Sequence, residues 1–268
     1  MIGSGLEGVL ATFPPISLEE IQNRAEFMTR KDRKYLLPLE RLGDLLHMAP
    51  EGTSVMEIGG QRLFRYHSIY FDEPDRSAYL AGLRRRPNRF KVRTRHYVDS
   101  DLRLLEVKTM SARGETVKTR IAHDCGDLTE LSDTERDWLA GFDQVRRHVD
   151  GLRPCLSTTY QRATFVLPED DGRVTIDLGL TWGAPGSPGF AVGPYAVIET
   201  KGTGKATAID QALWRMGIRP VPMSKFAVGL SILNPELPAN RWNRLRNRLT
   251  AELLLVEQPV QPLNLGPG

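Results

Sequence analysis

The sequence predicts an α+β protein built on an antiparallel β-barrel flanked by helices. Three observations carry this. Strands outnumber helices. No βαβ rhythm runs through the chain, which argues against a parallel sheet. And a succession of short strands carries charges at alternate positions: FKVRTRHYV with Arg93 and Arg95, LLEVKTM with Glu106 and Lys108, ETVKTRI with Lys118 and Arg120, TTYQRATFV with Arg162, RVTIDLGL with Arg173 and Asp177, YAVIETKG with Glu199 and Lys201, and MSKFAVGL with Lys225. Side chains two apart on a strand share a face, so each pair is presented together. About eight such strands, with helices over their apolar side, suggest a closed or nearly closed single-domain barrel with a charged inner face.

In chain order, residues 1–15 read as a loose leader ending in Pro14-Pro15. Ser17 and Glu20 make a capping box for a short helix, SLEEIQNRA. AEFMTRKDRKYLLP follows as a strand with Arg30, Asp32 and Lys34 on one face, and LERLGDLLHMA as a helix with leucines at helical spacing. Gly59-Gly60 signals a hairpin between two strands in 55–72. A short helix over Ser77–Leu83 precedes Arg84-Arg85-Arg86, a solvated basic loop. Strands are predicted at 89–98, 103–110 and 115–122, then a helix in LTELSDTERDWLAGFDQVRRHV, buried through Leu131, Trp138, Leu139 and Phe142. Strands resume at 158–167, 172–180 and 194–201, with 183–189 as a loop. A helix over 206–216 then precedes the Lys225 strand. The expected boundaries are a leader over 1–15, a tunnel domain over 16–235, an amphipathic basic helix over 236–257 and a disordered tail over 258–268.

Composition narrows the class. Of 268 residues, 40% are hydrophobic and 26% charged, ordinary for a soluble protein. A net charge of +3 is too mild to argue for nucleic acid. Nothing approaches about 18 consecutive apolar residues, and the N-terminus lacks a signal-peptide pattern, so a cytoplasmic location is expected. Cys125 and Cys155 suggest neither a disulfide framework nor a zinc site, and the five histidines form no ligand pair by spacing. The GTGK stretch at 202–205 lacks the P-loop spacing and hydroxyl, so it is expected to be a turn.

Alternating strands usually turn their charges to solvent. Here Arg and Lys dominate the polar face repeatedly, and single acids sit beside basic partners, as in Glu106/Lys108 and Glu199/Lys201. The apolar positions Phe90 and Val92 need helices to cover them, and the sequence supplies helices. Buried cations demand compensation, and a polyphosphate with a divalent cation provides it. Arginines grip phosphate oxygens in a fork, and a carboxylate such as Glu199 can hold Mg²⁺ or Mn²⁺.

The ordered motifs DRKYLLP, SIYFD, KVRTRHY, LEVKT, TTYQRATF, RVTIDLGL, AVIETKG and PMSKFAVG resemble the VTC domain, the polyphosphate polymerase domain of the triphosphate tunnel metalloenzymes, related to the CYTH triphosphatases. The resemblance covers roughly residues 24–230 and implies an eight-stranded antiparallel tunnel that binds a nucleoside triphosphate such as ATP, or tripolyphosphate and polyphosphate, with Mn²⁺ or Mg²⁺. It assigns Lys34 to the KY motif, Arg93 and Arg95 to R-x-R, Lys108 to E-x-K, Arg162 to Y-x-R, Arg173 to the position before I-D, Glu199 to the metal and Lys225 to S-K-F. Glu106, Lys118, Arg120, Asp177 and Lys201 are further lining residues, with Lys201 also positioning terminal phosphates. Metal-assisted phosphoryl transfer to a growing chain is the implied activity, with water as the alternative acceptor making a triphosphatase, and a non-catalytic polyphosphate-binding module as a third alternative. The eukaryotic polymerases carry a lysine just before the S-K-F lysine. Pro220–Met223 holds none, which counts against processive synthesis. With no SPX-like domain or membrane segment, action at a membrane implies peripheral attachment through a separate membrane protein.

Overall fold

The computed structural model describes residues 3–25, 31–110, 116–168 and 172–260. In chain order the elements are α1 (Gly3–Ala11), β1 (Pro15–Ile16), α2 (Leu18–Ala25), β2 (Lys31–Pro38), α3 (Leu42–His47), β3 (Ser54–Met56), β4 (Phe64–Asp72), α4 (Ser77–Leu83), β5 (Phe90–Tyr97), β6 (Leu102–Met110), β7 (Thr116–Ala122) and α5 (Asp133–Ala140). There follow β8 (Arg153–Val166), β9 (Arg173–Gly183), β10 (Gly189–Ala191), β11 (Tyr195–Gly202), α6 (Ala208–Arg215), α7 (Lys225–Leu233), α8 (Asn243–Thr250) and β12 (Leu254–Val256). Among the described residues no helix is long and apolar enough to cross a membrane.

The chain divides into two compact units: Met1–Phe64, Gln161–Leu180 and Gly193–Pro222 form the first, and Arg65–Tyr160, Thr181–Val192 and Met223–Gly268 the second.

In the first unit β11 pairs antiparallel with β2 and with β9, and β3 pairs antiparallel with β8 and parallel with β1. One face of this ladder carries Tyr35, Leu37, Ile176, Leu178, Ala196 and Ile198, all buried against α3 and α6. The polar anchor of that face is Asp210, fully buried on α6. It accepts hydrogen bonds from Tyr35 (2.6 Å), Thr200 (2.6 Å) and Arg33 (3.0 Å), and closes a capping box with Thr207. Arg33 also donates to the carbonyls of Gly204 and Lys205. The GTGK stretch is therefore a clamped turn, as expected. The predicted Ser17/Glu20 box forms at α2, with reciprocal bonds of 3.0 and 3.2 Å.

In the second unit β8, β4, β5, β6 and β7 follow in hydrogen-bonding order. Their apolar face holds Ile69, Phe71, Val92, Leu105 and Val107, covered by Leu128, Leu131 and Leu139 around α5. Ser132 and Glu135 cap α5 reciprocally. Cys125 and Cys155 are free thiols.

Several expectations are corrected. The antiparallel sheet with helices is present, but twelve strands take part in it and they are not closed into an eight-stranded barrel. Within the stretch expected as a loose leader, Gly3–Ala11 form α1, and Leu10 is buried in the first unit's core. Gly59 and Gly60, both at positive φ, do make a tight turn closed by Ile58 and Gln61. The strands on either side do not pair with each other, because β3 takes β1 and β8 instead. The helix predicted over 128–149 is confined to α5, followed by a 3₁₀ stretch over Arg146–Gly151. The basic C-terminal helix is only α8, and Leu254–Val256 pairs with β10 as a strand. The Lys225 segment is a helix, because the Ser224 hydroxyl caps it by accepting from the Ala227 amide (3.3 Å). Arg30 and residues 261–268 of the expected tail lie outside the described residues.

Candidate functional site

Two strand faces, one in each unit, gather the residues singled out from the sequence.

In the first unit, register places Glu199 opposite Lys34 and Thr175, Lys201 opposite Asp32 and Arg173, and Val197 opposite Asp177. Cross-strand partners share a face. Asp32, Lys34, Arg173, Asp177, Glu199 and Lys201 therefore stand together, opposite the core side of the ladder. Glu199 Oε1 receives both Lys34 Nζ (2.7 Å) and Lys201 Nζ (2.6 Å), and Lys201 also reaches Asp32 (2.8 Å). Burial alone would raise the Glu199 pKa, but Lys34, Lys201 and Arg162 hold it well below the usual carboxylate range. Burial lowers the Lys34 pKa, against the pull of Glu199. Arg162 grips the fully buried Asp177 through both of its carboxylate oxygens, at 2.5 and 2.8 Å. Such a bidentate fork fixes the guanidinium plane.

In the second unit, β5 presents Lys91, Arg93 and Arg95 on one face. The register sets Lys91 opposite Lys108 and Lys108 opposite Lys118, and it sets Arg93 opposite Glu106 and Glu106 opposite Arg120. Glu106, 2% exposed, is the carboxylate at the centre. It takes Arg93 (2.6 Å) and, diagonally, Lys118 (2.5 Å). Burial would raise its pKa, yet Arg93, Arg95 and Lys118 drive it well below the ordinary value. Burial and the nearby Arg93 lower the Lys118 pKa to about 8, although its side chain is 43% exposed. Lys108 and Arg120 are exposed.

Aromatic rings and hydroxyls orient these cations. The Tyr70 hydroxyl accepts from Arg93 (3.0 Å), and Arg95 donates to Ser68 (3.1 Å) and Tyr160 (2.9 Å). Burial opposes ionisation of Tyr70, but Arg93, Arg95 and Lys225 lower its pKa. Lys225 Nζ lies 4.6 Å from the centre of the Tyr160 ring. Lys91 donates to the Ser224 hydroxyl (3.0 Å), bringing a lysine of β5 to the residue before Lys225.

Within the first unit the structure thus brings together Lys34, Arg162, Arg173, Asp177, Glu199 and Lys201. Within the second it brings together Arg93, Arg95, Glu106, Lys108, Lys118 and Arg120, with Lys225 beside Tyr160. Sequence reasoning missed Lys91 and Tyr70. Lys91 was accessible, since it continues the alternation of Arg93 and Arg95, whereas Tyr70 was not, because only the β4–β5 register sets it opposite Arg93.

Fold and faces define a class, an antiparallel sheet protein that presents dense cationic strand faces threaded with single carboxylates. The chain belongs to the VTC domain family, whose model matches residues 29–234. No curated protein matches it in sequence. Similar solved structures include a putative adenylyl cyclase from Hippeastrum described as having a dominant triphosphatase activity, with 18% identity, TM-score 0.47, and 78% of this chain and 98% of that chain covered. A putative adenylate cyclase from Vibrio parahaemolyticus shares 16% identity, with TM-score 0.40 and coverage of 71% and 86%. The PH1012 protein of Pyrococcus horikoshii shares 11%, with TM-score 0.43 and coverage of 77% and 100%.

Proposed function

We propose that this protein is a metal-dependent phosphotransferase that binds a nucleoside triphosphate such as ATP, and inorganic polyphosphate, on its basic strand faces. The observation that carries this is the lysine row of the second unit, in which Lys91, Lys108 and Lys118 are direct neighbours across three strands. Like charges set directly opposite one another destabilise a sheet. Arg93, Arg95 and Arg120 add to the same face, and Glu106 is the carboxylate set against all six. A chain of phosphates is the ligand that turns this repulsion into binding. Membership of the VTC domain family supports the same chemistry.

Phosphoryl transfer needs little covalent chemistry from a protein and much positioning and charge neutralisation. On the first unit's face Arg162 and Arg173 supply forked donors for phosphate oxygens, and Lys34 and Lys201 supply point charges. On the second unit's face Arg93 and Arg95 are the forked donors, and Lys108 and Lys225 the point charges. Glu106 and Asp177 keep arginines extended and fixed in plane. Glu199 fits a role as metal ligand, because it is held ionised and a single carboxylate suffices when phosphate oxygens and water complete the shell. Glu199 would hold Mn²⁺ or Mg²⁺, which would supply charge neutralisation for the phosphates, and Lys34 and Lys201 stand beside it as further cations.

The acceptor decides between a polymerase and a triphosphatase. The absence of lysine in Pro220–Met223 favours hydrolysis, whereas Lys91 at Ser224 brings a cation beside Lys225 by another route. Incubation with ATP and Mn²⁺, following polyphosphate and free phosphate together, tests this. Polymer that disappears in Lys225→Ala and Glu199→Gln establishes the polymerase. Free phosphate without polymer establishes the hydrolase. Tight tripolyphosphate binding with no turnover leaves a binding module, or a polymerase that needs its partner.

A further inference from the structure

We propose that His123, Asp124 and Glu135, with the Cys125 thiol beside them, form a second metal site that takes a borderline dication of the Zn²⁺ class. One ligand atom from each of His123, Asp124 and Glu135 lies within 4.8 Å of the others. All four residues belong to the second unit, at the end of β7 and the start of α5. By spacing alone the histidines form no ligand pair. Folding brings Glu135 back to His123.

The geometry of His123 points to a cation. Its side chain is fully enclosed, Nδ1 lies 2.7 Å from Glu135 Oε1, and Nε2 lies 3.2 Å from the Asp127 carbonyl oxygen. A carbonyl can only accept, so Nε2 carries hydrogen. This is the outer bond that usually orients a metal-bound imidazole. At 2.7 Å the Nδ1–Glu135 Oε1 contact is a hydrogen bond that holds a proton; a dication would take that proton's place, with the two ligand atoms moving apart to the roughly 3.3 Å that tetrahedral bonds of about 2.0 Å require. The helix cap does not use up the Glu135 carboxylate, because the Ser132 amide donates to Oε2 (3.0 Å) and leaves Oε1 to the imidazole.

Cys125 flanks this trio on the carboxylate side. Cys125 Sγ is 3.8 Å from both Glu135 Oε2 and Asp124 Oδ1, and the Ser132 hydroxyl anchors Asp124 Oδ2 at 3.2 Å. Bonds of about 2.0–2.3 Å put tetrahedral ligand atoms roughly 3.3–3.7 Å apart, close to the sulfur–oxygen separations here. A cavity of about 570 Å³ borders the cluster on the Cys125 side, where Thr129, Glu130, Ser132 and Arg136 also line it. One imidazole, two carboxylates and one thiol suit Zn²⁺ better than Mg²⁺ or Ca²⁺.

The test uses full-length protein carrying Glu199→Gln, so that no metal held by Glu199 contributes. Zn²⁺ content after dialysis and titration with Co²⁺ are the readouts. One equivalent is expected, with a thiolate-to-cobalt charge-transfer band that Cys125→Ser abolishes. Asp124 is exposed, so Asp124→Ala should fold and weaken binding at least about tenfold, and His123→Ala should remove it. No stoichiometric metal, or metal bound equally well by Asp124→Ala, would overturn the proposal. Cobalt bound without the charge-transfer band would overturn the four-ligand form.

Discussion

Lys34 and Glu199 stand directly opposite each other across the β2–β11 ladder, and the lysine Nζ lies 2.7 Å from Glu199 Oε1. Lys201 shares that same oxygen at 2.6 Å, so two ammonium groups hold one carboxylate ionised. Glu199→Gln is isosteric and should fold. It should lose turnover of ATP or tripolyphosphate by about 100-fold or more, while retaining metal-free tripolyphosphate binding. Turnover and calorimetric binding measured side by side check this. Unchanged turnover would refute the metal-binding role proposed for Glu199.

Glu106 holds Arg93 and Lys118 and is itself 2% exposed. Glu106→Gln leaves those cations uncompensated and should cost about 2–3 kcal/mol at neutral pH, below the range for a wholly buried pair because Lys118 is 43% exposed. The pH dependence has a definite sign. The folded pKa lies below the ordinary 4.5, so the stabilisation is complete above that value and is lost as pH falls below it. Denaturant melts as a function of pH should show native stability falling below about 4.5, with a shallower fall in Glu106→Gln.

Lys118, with its pKa lowered to about 8, should lose charge over the range in which an ordinary lysine keeps it. In metal-free protein, tripolyphosphate affinity should therefore drop several-fold as pH rises through about 8. Lys118→Arg stays charged and should flatten that profile. For stability the sign is opposite. The unfolded chain binds the extra proton between about 8 and 10.5, so this group adds stability as pH rises through that window.

Gly229 lies on α7, the helix that begins at Lys225. A Cβ there would sit 2.5 and 2.6 Å from ring atoms of the fully buried Trp182. Gly229→Ala should cost about 1–3 kcal/mol through overpacking and lower the Tm. Because the displaced element carries Lys225, tripolyphosphate affinity should fall as well. Calorimetry and binding on the same preparation check both effects.

Lys91→Ala should weaken tripolyphosphate binding and reduce its dependence on salt, because it removes one of three adjacent lysines. Binding measured across a salt series decides it. An unchanged slope would place Lys91 outside the phosphate path and leave it as a partner of Ser224.

Much of this was legible because strand alternation is local. Phe90, Val92, Glu106 and Asp177 declare their faces by period two, and the register confirms the division. Capping is equally local, as the Ser17/Glu20 box shows. Lys225 was misplaced on a strand because KFAVGLSIL is apolar all round, and a short apolar run does not separate strand from buried helix. The hairpin at Gly59-Gly60 failed for another reason. Its turn is real, but pairing partners are chosen by distant segments, here β1 and β8.

By itself the sequence determined which residues share a strand face, where several helices begin, and which family the ordered motifs resemble, because all of these depend on neighbours a few positions apart. Only the tertiary structure decided which carboxylate each cation meets. Glu199 takes Lys34, Glu106 takes Arg93 and Lys118, and Asp177 takes Arg162, whereas the Glu199–Lys201 pair lies two apart on one strand and was already implied by the alternation. The physical reason is register: ion pairing acts over a few ångströms, and the partners become neighbours only once distant strands are hydrogen-bonded side by side.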